Sequence, residues 1–139
     1  MDAWTELTST QVLAAMPTDL SALYAQWVDV DPARAARVVA LTEETVAVCR
    51  AAVAARYPGL LDPDETKVPM AGLRHLLNLV TFNLGMEMGI QFAPEVFTLF
   101  QRADTWLRGL EFGTIGLAAG ETEPGPSYET PEARRELAG

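Results

Sequence analysis

The chain has 139 residues, 49% of them hydrophobic, and a formal net charge of −9 from 19 acidic against 10 basic residues. That length fits one domain, which would bury roughly 70% of its unfolded surface and so needs no covalent staples. The scattered bases exclude a phosphate-gripping groove, no apolar run approaches the roughly 20 residues of a membrane span, and the single cysteine excludes an internal disulfide. The acidic balance favours solubility and partners with basic patches. Met1-Asp2-Ala3-Trp4-Thr5-Glu6 has no basic region ahead of an apolar stretch, so no signal peptide is expected.

The pattern is helical almost throughout. In Leu7-Thr8-Ser9-Thr10-Gln11-Val12, Thr8 is a cap, Gln11 closes a capping box and Leu7 packs on Val12 as a staple. Pro17 ends that short helix. Thr18-Asp19 is read as the cap of a second one, which carries Leu20, Leu23, Tyr24 and Trp27. Neither helix would be stable alone at this length.

Asp31-Pro32 is a strong start, with Asp as cap and Pro at the first helical position. No Gly or Pro follows until Pro58. A helix over 32–56 would be about 37 Å long. It carries the stripe Ala35, Val38, Thr42, Val46, Cys49 and Val53, widened by Leu41, Val48 and Ala52. It is either continuous or broken near Leu41–Glu44, where Thr42 ahead of two acids also has the form of a cap. Ala47, Ala51, Ala52, Ala54 and Ala55 would let the segment 69–87 approach closely.

That segment has one stripe of Leu73, Leu76, Leu77, Val80 and Leu84 and a second of Leu79, Phe82 and Met86. A helix apolar on most sides is buried on most sides, so it is expected to be the central helix. Met88-Gly89 ends it. Pro94 starts a last core helix over 94–111, with Val96, Leu99, Phe100, Ala103, Leu107 and Leu110 inward, Trp106 alongside and Gly113 as terminator. Thr114-Ile115-Gly116-Leu117 reads as a short extended piece. No β-hairpin signal is present.

Beyond Gly120 the sequence is rich in Gly, Pro and Glu and almost without aliphatics, too little to offset its ordering entropy. Thr130-Pro131-Glu132 has the form of a helix start running to Leu137, with Tyr128 and Leu137 as its large apolar anchors. The expected organisation is a helical domain over 1–117 and a flexible C-terminal arm over 118–139 that orders only against a partner. The fold class is all-α: a small bundle of about five helices around a central apolar helix.

No constellation of catalytic, cofactor-binding or metal-ligating residues emerges. His75 is either a general base or a structural histidine, and no carboxylate lies within one turn of it. Cys49 falls on an apolar stripe, where Cys acts as a small hydrophobe. Asp62, Asp64 and Glu65 could hold a hard cation, but they lack the alternating oxygen ligands of a calcium loop, and Pro63 reads as turn chemistry. Trp4, Trp27 and Trp106 are expected as core or interface anchors. The reading is of a protein that is not an enzyme and uses no cofactor.

Three junctions occur in a distinctive order. A long Ala-rich helix ends in Arg56-Tyr57-Pro58. Val68-Pro69 opens a Leu-rich helix with Leu73, Leu76 and Leu77. A third helix carries Ala103 and Trp106-Leu107 before Gly113. With the short helical unit over Leu7–Leu20, this arrangement over residues 5–117 resembles the head–tail connector (adaptor, or head-completion) proteins of tailed phages, in the branch found in Mu-like prophages. The resemblance implies a virion protein of the neck, made in the host cytoplasm, that forms a ring of copies, typically a dodecamer, beneath the portal protein. The ring continues the DNA channel toward a stopper or other tail-side neck protein, and the duplex passes through without specific binding. In this family the C-terminal arm commonly docks on the portal, which implies a partner-binding role for Tyr128, Pro131, Arg134, Arg135 and Leu137. Acidic channel walls would keep phosphates off and let the duplex slide. The alternative is a generic soluble helical protein–protein interaction module.

Overall fold

The first helix begins where its local chemistry dictates. In the computed structural model, which describes residues 4–113, α1 spans Ser9–Ala15. The Gln11 N–H donates to Thr8 Oγ1 at 3.2 Å, and the Thr8 N–H donates to Gln11 Oε1 at 2.9 Å. This closed capping box satisfies two backbone donors that no helical carbonyl can reach. Leu7 and Val12 both enter the same core. The next helix, α2 (Thr18–Val30), corrects the expectation for its start: Pro17 is the cap, and Thr18 and Asp19 lie in the first turn. Proline has a fixed φ and no N–H. It closes α1 and offers its carbonyl to the Ser21 N–H at 2.8 Å, so no side-chain cap is used.

Asp31 caps as its sequence indicates, with Oδ1 accepting from the Ala33 N–H at 3.1 Å. A 3-10 turn over Pro32–Arg34 leads into α3 (Ala35–Arg56), which is unbroken. At the suspected break, Thr42 donates its hydroxyl to the Val38 carbonyl at 2.7 Å. The buried hydroxyl is satisfied within the helix and starts no new one. The helix turns inward Val38, Leu41, Thr42, Thr45, Val46, Cys49, Ala52 and Val53. Ala35 and Val48, expected on that stripe, point outward, as do Ala47, Ala51 and Ala55. Of the alanine set only Ala52 is buried, because bulkier residues occupy the rest of the buried arc.

A two-stranded antiparallel ribbon, which the sequence did not indicate, joins the start of the chain to its middle. β1 (Trp4–Glu6) pairs with β2 (Lys67–Pro69) in the register Trp4 to Pro69, Thr5 to Val68 and Glu6 to Lys67. Val68-Pro69 therefore ends a strand; a 3-10 turn over Met70–Gly72 intervenes, and α4 runs Leu73–Glu87. Its Leu76, Leu79, Val80, Phe82 and Leu84 are buried, whereas Met86 is 54% exposed. The last helix, α5 (Pro94–Phe112), buries Ala103, Trp106, Gly109 and Leu110 but leaves Leu99 43% exposed, against the expectation that it faces inward.

The architecture is all-α, with α4 packed on α1, α3 and α5, and α3 packed on α5 as well. A bidentate pair from Arg37 to Glu87, at 2.9 and 2.6 Å, ties the start of α3 to the end of α4, so these two helices are antiparallel. Trp106 packs at the start of α4 and Phe97 near its later half, which makes α5 antiparallel to α4. Consequently α3 and α5 run the same way and end together. Gly113, at φ +76°, closes α5, and a side chain there would meet the Arg56 guanidinium.

Candidate interaction surface

Two concavities with exposed apolar residues flank α5 on the described surface. One is a groove of about 470 Å³ between α2, α4, the segment 90–93 and the first half of α5, lined among others by Leu20, Leu23, Leu77 and Val96. Its floor is aromatic. Phe82 stacks on Phe100 with centroids 4.2 Å apart and on Phe92 at 5.2 Å, and takes Phe97 edge-on at 5.4 Å. Gly85 makes room for Phe92, since a Cβ there would collide with its ring. Asp19, Arg74, Asn78 and Gln91 form a polar rim. A groove of apolar walls with sparse polar edges suits the apolar face of a helix.

The second is a cleft of about 480 Å³ between α3 and the last half of α5. Val48 is 54% and Phe112 65% exposed there, over Ala51, Ala52 and Leu107, with the Arg108–Asp104 ion pair at 2.9 Å on its edge. A third concavity, of about 570 Å³, runs beside β1, α1 and α3 and carries Glu6, Glu43 and Glu65. Its one guanidinium, Arg50, is engaged elsewhere: it donates to the carbonyls of Asp64 at 3.0 Å, Lys67 at 2.8 Å and Asp62 at 2.6 Å. It also lies 5.6 Å from the Trp4 ring centroid. Arg50 thus holds the whole 62–67 loop and the ribbon onto α3.

The residues singled out from sequence have structural surroundings. His75 is half-buried and stacks on Trp106 at 5.5 Å, and burial holds its pKa below the ordinary 6.5. Cys49 is fully buried, and that burial pushes its thiol up to about 12, where it is neither nucleophile nor ligand at neutral pH. In the acidic loop, Asp64 Oδ1 accepts from the Thr66 N–H at 2.9 Å and the Thr66 hydroxyl at 2.7 Å, which holds its carboxyl below the ordinary range. Asp62 Oδ1 accepts from the Asp64 N–H at 2.9 Å. These are turn contacts. Among the described residues no group of three or more His, Cys, Asp or Glu is arranged to hold a metal ion. Trp106 is a core anchor, while Trp4 and Trp27 are half-buried at the core's edge.

Tyr128, Pro131, Arg134, Arg135 and Leu137, with the rest of the arm and the Thr114–Leu117 piece, lie outside the described residues. Sequence reasoning missed the aromatic groove and the Arg50 clamp. The groove had a signal, since four of the five phenylalanines fall between 82 and 100. Set against protein-family models, curated proteins and solved structures, the chain has no match.

Proposed function

We propose that the chain is a ring-forming head–tail connector subunit of a tailed phage, seated beneath the portal and continuing the DNA channel toward the tail. The resemblance of its helix junctions supports this reading. The observation that carries it is the presence of two unlike apolar patches, the groove at one end of α5 and the cleft at the other. A ring of identical copies is built from heterologous contacts, in which one patch meets a different one on the next copy. The charge of −9 suits a wall along which a duplex slides.

Imaging after mixing the purified chain with portal tests the proposal: rings on the portal are expected. A chain that stays monomeric in the presence of portal overturns it; a free monomer alone does not, because assembly can need the template. Deleting 121–139 is expected to leave the bundle folded and weaken docking on the portal. Unchanged docking would remove the arm, with Tyr128, Pro131, Arg134, Arg135 and Leu137, from the interface.

The second reading, a helical interaction module, is favoured by the aromatic floor of the groove. It predicts a one-to-one complex with an amphipathic helix and no ring.

A further inference from the structure

We infer that Phe112 of one copy enters the aromatic groove of the next copy beside Leu77, with Glu111 of the first meeting Arg74 of the second. This rests on the connector proposal and names the contact that would close its ring.

Among the described residues Phe112 is the most exposed aromatic side chain, at 65%. It shares the α3–α5 cleft with Val48 and Glu111. The groove holds the stacked rings of Phe82, Phe92 and Phe100, and a further ring gains by packing edge-on or offset against such a set. Buried aromatic anchors of this kind dominate the centres of interfaces. Phe112 cannot reach the groove of its own copy. Phe100 lies twelve residues before it on the same helix, about 18 Å away along the axis. The contact is therefore between copies. Because the two surfaces differ, it is heterologous, the kind that propagates from copy to copy until a ring closes.

Charge selects the orientation. Copies at −9 repel one another, so a contact between them needs opposite charges at its edge. On the cleft side Arg108 and Asp104 pair with each other at 2.9 Å, which leaves Glu111. Glu111 makes no hydrogen bond or ion pair among the described residues. On the groove side Arg74 is exposed and equally unpaired among them. Asp19, the other charge lining the groove, sits in the first turn of α2, where the positive end of the helix dipole offsets it. The spacings agree. Glu111 and Phe112 are neighbours in sequence, and Leu77 lies three residues after Arg74, one turn along the same face of α4. A charge beside an anchor on one surface thus meets a charge beside a pocket on the other.

The full chain mixed with portal tests this. With p-benzoylphenylalanine in place of Phe112, near-ultraviolet light should join each copy to its neighbour. In mixtures of isotopically light and heavy copies, the mixed crosslinks should map to peptides covering 74–82 or 92–100. Charge reversal is the independent arm, at two exposed positions that leave the core intact. Arg74→Glu or Glu111→Arg alone should lower the yield of rings about tenfold, since like charges then meet at the contact. The chain carrying both should recover to within about threefold of the natural one. Rings whose crosslinks map elsewhere, or to Phe112 of a second copy, overturn the contact and leave the connector proposal standing. Single reversals without effect, or a double variant no better than the singles, do the same. Mixed crosslinks to the groove in open chains, without rings on portal, uphold the contact and overturn the ring. A chain that forms neither rings nor mixed crosslinks overturns both.

Discussion

His75 and Trp106 lie face to face at 24°, and the proton on that imidazole is where this fold meets mild acid. Burial sets the folded pKa below the ordinary 6.5, so the unfolded chain takes up the proton first. Stability is therefore complete above pH 6.5 and declines as the pH falls from there through the folded pKa. Asp64 and Glu87 act lower down. Their folded values are held below the ordinary 3.8 and 4.5, by the Thr66 hydrogen bonds and by the Arg37 hydrogen bond respectively. Their contribution is present above those ordinary values and is lost as the pH falls further. Urea midpoints measured from pH 8 to pH 5 should fall below 6.5 in the natural chain and stay level in His75→Phe. Arg50 gives a second residue-scale expectation. Arg50→Ala removes three hydrogen bonds from a charged donor to loop carbonyls and should cost about 2 kcal/mol in chemical denaturation, with faster proteolysis within 58–67. Arg50→Lys should recover little of this, because a single ammonium cannot span three carbonyls as a planar fork does.

At the scale of elements, the tightest joint is between α4 and α5. A Cβ on Gly72 would fall inside the Trp106 indole, so Gly72→Ala must push the ring or the 3-10 turn aside. Overpacking of that kind should cost about 1–3 kcal/mol, read as a lower thermal midpoint with loss of the near-ultraviolet Trp signal. Gly59→Ala, which meets nothing within 4 Å, is the control. Elements were legible in the sequence wherever their determinants are local. Thr8 with Gln11 and Asp31 with Pro32 each specify a start within a few residues, and the unbroken α3 follows from the absence of Gly and Pro. Pro17 was misread because Thr18 has capping chemistry of its own and proline's carbonyl leaves no sequence trace. The outward alanines of α3 were misplaced because alanine fits core and surface equally well. The ribbon was invisible because each strand has three residues, too few for an alternating pattern, and the partners lie more than sixty positions apart. The aromatic groove needed three helices and a loop to meet, which no single periodicity records.

For the whole molecule, electrostatics gives the plainest expectation. The charge is −9, and the concavity beside β1, α1 and α3 gathers three glutamates around an arginine already committed to the loop. Duplex DNA should show no measurable affinity in a fluorescence titration at moderate salt, because few phosphates would be neutralised and few counterions released. Saturable binding would contradict the picture of a repelling channel wall.

The parallel course of α3 and α5 has a mechanical consequence. The last helix is held most firmly in its second half, by Ala103, Trp106, Gly109 and Leu110. Its opening turns, with Phe97 and Leu99 half in solvent, are the loosely held ones. A load applied at Gly113 along the helix axis thus arrives first at the strongest anchorage. It must slide Trp106 past Gly72 before any turn of α5 comes away.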